Sequence, residues 1–93
     1  MSTTERRWEI HQTGQVERIL RRLPKDLLGR IDEKIWALAE DPWPPGCKKL
    51  TGKDYDNHYR IRVGEWRISY AIEKDVLIVL ILEVAPRGDA YRF

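Results

Sequence analysis

Residues Tyr59 to Tyr70 read YRIRVGEWRISY, two runs of alternating apolar and polar side chains around Gly64-Glu65. A period of two marks a strand with one wet and one buried face. Glycine supplies the positive φ that a two-residue type II′ turn requires at its first position, so Gly64-Glu65 predicts a β-hairpin. Counting outward from that turn, Val63 faces Trp66, Arg62 faces Arg67, Ile61 faces Ile68 and Tyr59 faces Tyr70. All the large apolar side chains then share one face, and a slip of one residue would scatter them. The other face receives Arg60, Arg62, Arg67 and Ser69. Like charges set directly opposite each other are unfavourable by about a few tenths of a kcal/mol. Arginine stems do cover apolar surface well, which is one use for such residues. A merely solvated face, however, normally intersperses acids among its arginines, so this one points to an anionic partner.

The rest of the chain is read from that hairpin. A second tight turn at Lys74-Asp75 leads to Val76–Leu82, VLIVLIL, apolar on both faces as a central strand is. Counting across the turn puts Leu80 and Leu82 on the arginine face, so something apolar is expected to rest there, either the C-terminal segment or another protein. Upstream, Arg7-Trp8-Glu9-Ile10-His11 alternates as a half-buried strand and Thr13 offers a helix N-cap. A first helix follows through about Arg22, with Val16, Ile19, Leu20 and Leu23 at helical spacing. Pro24 opens a second helix ending near Glu40, whose stripe is Leu27, Leu28, Ile31, Ile35, Leu38 and Ala39. The three prolines of Asp41-Pro42-Trp43-Pro44-Pro45-Gly46 then impose a long, stiff loop that carries Lys48, Lys49 and Lys53. Those lysines serve either solubility or an extended phosphate-binding surface. The expected fold class is α+β: a single small domain over residues 1–93. In it an N-terminal strand and a helical hairpin pack on one face of a mainly antiparallel sheet of about four strands.

Composition narrows the function. Charged residues make up 34% of the 93 but nearly cancel, at +2, so any electrostatic role must come from arrangement. The single Cys47 rules out an internal disulfide and, with two histidines far apart in sequence, supplies no ligand set for a metal. No cofactor is expected. The N-terminus lacks an apolar signal core, and the longest apolar run is far too short for a membrane span. A cytoplasmic protein without a membrane partner is expected.

The order of strand, helical hairpin, basic loop, YRIRVGEWRISY, VLIVLILEVAPRG and a terminal Tyr91 resembles the RelE toxins of the RelE/ParE toxin–antitoxin superfamily. The likeness covers nearly the whole chain, from Leu23-Pro24-Lys25 through Asp41-Pro42 and Lys49-Leu50-Thr51-Gly52 to the tail. It implies a metal-independent endoribonuclease that enters the ribosomal A site, cuts mRNA there and is silenced by a RelB-like antitoxin. Arg60 and Arg62 match the basic positions of the first hairpin strand, Arg67 the arginine of the second, Arg87 that after the last strand, and Tyr91 the C-terminal tyrosine.

Some members carry lysine where Arg60 and Arg62 stand. Arginine is effectively never deprotonated, so neither is a comfortable general base, while charge stabilisation is unaffected. Arg62, Arg67 and Arg87 suit that charge task, because a guanidinium matches phosphate oxygens bidentately. Tyr91 is expected to stack on a base, orient the 2′-OH or exchange its proton. His58 is the nearby imidazole and a candidate general base, and with Arg60 and the three lysines it belongs to the expected RNA-binding set. A ParE-like inhibitor that binds DNA gyrase and cuts nothing, or an inactive nucleic-acid-binding homologue, would share the fold.

Overall fold

Thr13 starts the first helix by satisfying one of its orphan donors: the hydroxyl Oγ1 accepts the Val16 N–H at 3.2 Å. The computed structural model describes residues 7–50, 52 and 56–86, so Lys53, Arg87 and Tyr91 lie outside the described residues. The elements in chain order are β1 (Glu9–Gln12), α1 (Gly14–Arg22), α2 (Lys25–Ala37), β2 (Lys48–Lys49), β3 (His58–Val63), β4 (Trp66–Glu73) and β5 (Ile78–Pro86). Pro24 opens α2 as expected, standing at the N-cap position with no side-chain cap. That helix stops at Ala37, short of Glu40, and tightens into a last turn in which Leu38, Ala39 and Glu40 each bond three residues back. Pro42 accounts for the stop, since it disfavours helical geometry at Asp41.

The sheet has five strands in the order β1-β5-β4-β3-β2, not about four. The strand beyond the expectation is β2: Lys48 pairs with Arg60 and Lys49 with Tyr59, where a loop was expected. Two residues are too few to show a periodic pattern. Strand β1 runs parallel to β5, and the other pairs are antiparallel. Between β3 and β4 every pair counted from Gly64-Glu65 is present, and Gly64 has φ 60°.

The β4–β5 connection corrects the sequence reading. It runs from Lys74 through Leu77, so Glu73 pairs with Ile78 and Leu77 itself adopts φ 56°. A left-handed leucine costs about 1–2 kcal/mol. Its carbonyl accepts the Glu9 N–H at 2.9 Å, which ties β1 to the turn. Because the turn is longer by two residues, side-chain parity survives, and Leu80 lies opposite Ala71 on the arginine face. A bulge follows: Tyr70 pairs with Ile81 but Ser69 with Glu83, leaving Leu82 between. The extra residue lets Ile81 and Val84, three apart, both enter the core.

One face of this sheet is covered. Helix α1 lies against β5 and α2 against β3. Val16, Ile31 and Ile35 from the helices meet Ile68, Tyr70, Val79 and Ile81 from the sheet, all essentially inaccessible to water. On the opposite face Leu80 and Leu82 remain half-buried.

Candidate nucleic-acid interface

Strand registers fix which side chains share the uncovered face. One row crosses the sheet as Ala85, Arg67 and Arg62; the next runs Glu83, Ser69, Arg60 and Lys48; a third runs His11, Leu80, Ala71 and His58. Partners in a row stand about 4.5–5.5 Å apart at Cβ, which brings the cations of β2, β3 and β4 together. They line a cleft of about 490 Å³ whose walls are Gly46, Lys48, Arg60, Ile61, Arg62 and Arg67. Within the described residues none of these four cations has an acidic partner; the ion pairs there are Arg7–Glu40, His11–Glu9 and Lys49–Asp56. Arg62 is exposed and Arg67 half-buried, and the Arg67 Nε is buried with no hydrogen-bond acceptor among the described residues. A buried donor left unpaired is costly.

The cleft has one wall that is not sheet. After α2 the chain runs through Pro42-Trp43-Pro44-Pro45 and is held at several points. Asp41 Oδ1 accepts the Trp43 N–H at 3.0 Å, and Cys47 N–H donates to the Pro44 carbonyl at 3.1 Å. The Trp43 ring stands edge-on to Trp8 and Tyr59 at 5.6 and 6.5 Å between centroids. Gly46 turns the chain into β2 with φ 91°, a conformation that disfavours any other residue. From beneath, the Tyr70 hydroxyl donates to the Pro42 carbonyl at 2.7 Å. Burial, with smaller contributions from Cys47, Asp41 and Tyr59, holds the Tyr70 phenol well above its usual pKa. It remains a donor at any physiological pH.

The expected residues divide accordingly. Arg60, Arg62, Arg67 and Lys48 converge, and His58 joins the same face at the start of β3, half-buried. Lys49 does not: its partner Tyr59 faces the core side, and its Nζ bonds the Asp56 carbonyl and lies 5.8 Å from the Tyr59 ring centre. His11 occupies the same row as His58 but three strands away, roughly 14 Å at the usual strand spacing, and pairs with Glu9 at 2.9 Å. Sequence reasoning passed over two residues. Gly46 forms part of the wall, and its signal was the P-P-G punctuation. Glu83 is turned onto the arginine face by the bulge, which no local pattern announced. Among the described residues no group of three or more His, Cys, Asp or Glu could hold a metal ion, and no helix is long and apolar enough to cross a membrane.

Comparison with known proteins identifies relatives of this chain and of its fold. The family model described as the ParE toxin of the type II toxin–antitoxin system parDE matches residues 10–91. A curated protein of Methanocaldococcus jannaschii named "Putative toxin RelE1" is 33% identical over 87 residues, covering 90% of this chain and 92% of that protein. Among solved structures, the RelE–RelB complex of Pyrococcus horikoshii superposes with a TM-score of 0.76 at 29% identity, over 88% of this chain and 97% of the other. The RelBE2 toxin–antitoxin complex of Mycobacterium tuberculosis gives 0.75 at 26% identity, over 87% and 99%.

Proposed function

This chain belongs to the RelE/ParE superfamily of type II toxin–antitoxin toxins, and on that premise we propose that it is a ribosome-dependent mRNA endonuclease. The observation that carries the reading is the cleft in which, among the described residues, Lys48, Arg60, Arg62 and Arg67 stand without acidic partners and the buried Arg67 Nε lacks an acceptor. Phosphate is the ligand whose oxygens match that set.

In the proposed reaction the 2′-oxygen of mRNA attacks the adjacent phosphorus and the bond to the 5′-oxygen breaks. One fragment ends in a 2′,3′-cyclic phosphate and the other in a 5′-hydroxyl; one proton leaves the 2′-OH and one arrives on the leaving oxygen. Charge accumulates on the non-bridging oxygens between these events. Arg62 and Arg67 hold that charge, an arrangement in which a single donor is worth about 10² to 10³ in rate. Arg60, Lys48, Lys53 and His58 hold the flanking strand. Arg87 adds a third guanidinium, and Tyr91 acts at the scissile nucleotide. The arginines supply the positive charge a metal would otherwise bring, so cleavage proceeds without one.

A RelB-like antitoxin is the proposed partner, since relatives of this fold were solved as RelE–RelB complexes. Half-buried Leu80 and Leu82 beside the arginines form a surface suited to an acidic, amphipathic segment. The ribosomal substrate places the protein in the cytoplasm.

One observation favours a second reading: the matching family model is that of ParE, and a ParE-like protein would bind DNA gyrase and cleave nothing. A translation extract and a supercoiling assay separate the two. Truncated mRNA at ribosome-protected positions with supercoiling untouched is the expected result; intact mRNA with impaired supercoiling would hand the function to the second reading.

A further inference from the structure

The loop that brings Gly46 to the cleft is held by a residue that does not line it. We infer that Tyr70 is a positioning residue for RNA binding: its hydrogen bond to the Pro42 carbonyl fixes the Pro42–Gly46 loop, and through it Gly46 and Lys48, where they line the cleft. This rests on the proposed nuclease reading.

Tyr70 is fully buried in β4 between Ile68 and Ile72, yet its hydroxyl crosses to a carbonyl 28 residues earlier in the chain. Pro42 is itself buried, so that carbonyl has no water to fall back on, and Tyr70 is the donor it receives among the described residues. Between this anchor and the cleft the chain has little freedom. Pro44 and Pro45 fix φ, the Cys47 N–H closes back on the Pro44 carbonyl, and Gly46 stands at φ 91° before Lys48 pairs with Arg60. A shift at Pro42 is therefore transmitted to Gly46 and Lys48 as a displacement of the whole wall. Ring contacts steady the same segment laterally, with the Tyr59 and Tyr70 rings stacked at 6.1 Å and Trp43 edge-on to Tyr59. Neither contact sets the distance between loop and sheet along the Tyr70 hydroxyl. A cleft formed in advance binds more tightly because the ligand does not have to order it.

The test is Tyr70→Phe, which keeps the ring and removes the hydroxyl, beside Val79→Ala, a cavity variant in the core away from the loop. Hydrogen exchange on the purified proteins reads the loop: the Cys47 and Trp43 amides should exchange at least ten-fold faster in Tyr70→Phe while amides of β3 and β4 keep their protection. Affinity for a short single-stranded RNA reads the cleft: it should fall five- to twenty-fold in Tyr70→Phe and less than two-fold in Val79→Ala, at a temperature where both are folded. Steady-state cleavage should show this as a raised KM with kcat changed less than three-fold. If the Cys47 and Trp43 amides stay protected, or if Tyr70→Phe binds RNA as the parent does, the inference is overturned. If the parent itself does not bind RNA better than an Arg67→Ala variant, the nuclease reading has failed, and the exchange result alone then decides whether Tyr70 holds the loop.

Discussion

Arg67 and Ile68 are adjacent in β4, yet one faces the cleft and the other is fully buried under the helices. Truncating Ile68 to alanine removes buried methylenes and leaves a cavity, so it should destabilise the protein by about 2–5 kcal/mol in denaturant unfolding. Arg67→Ala removes a like charge opposite Arg62 and a buried donor without an acceptor among the described residues, and gives up some coverage by the stem. Its stability should stay within about 1 kcal/mol of the parent in the same measurement. Tyr70 adds a pH signature. Its phenol is held above the unfolded value near 10, so at higher pH the unfolded chain releases a proton that the folded protein keeps. The contribution of Tyr70 is thus complete below pH about 10 and lost as pH rises beyond it. Chemical unfolding between about pH 9 and 11.5 should show stability falling with pH in the parent and falling less steeply in Tyr70→Phe.

At the scale of elements, what the sequence disclosed depended on whether one residue could announce a boundary. Thr13, Pro24 and Gly64 each have a short-range chemical reason to stand where they do, and the two helices and the β3–β4 hairpin follow from them. Thr13→Ala should accordingly cost about 1 kcal/mol, measured by thermal melting, through the lost cap on Val16. The β4–β5 turn had no such signal. Val76 and Leu77 look like the start of an apolar strand, and the leucine at φ 56° is tied to β1 by the bond from Glu9, a long-range partner. The bulge was hidden for a related reason: a run apolar on both faces contains no alternation to break, so the change of parity between Ile81 and Val84 left no trace. Strand β2 exists because β3 offers an edge, and its two lysines show nothing of this by themselves.

For the whole molecule, a net charge of +2 conceals a segregated surface, with four cations converging on one cleft. The site was legible to the extent that it lies on the hairpin, because register dictates which residues share a face. Lys48 and Lys49 were indistinguishable in sequence and ended on opposite faces, since only pairing with Arg60 or Tyr59 decides between them. If the four cations each meet a phosphate, single-stranded RNA affinity should fall with salt at a log–log slope near −3, and Arg62→Ala should make it shallower by about 0.7. A slope near zero would mean that the cations are not the binding surface. The central claim, that this face performs chemistry and does not hold the fold, meets its most direct test in single-turnover cleavage of ribosome-bound mRNA by the parent and Arg62→Ala, with both melting curves recorded. Matching melting curves, 2′,3′-cyclic phosphate ends from the parent, and a rate lower by about 10² to 10³ in the variant are expected. An Arg62→Ala protein that melts with the parent and cuts at the parental rate would contradict it.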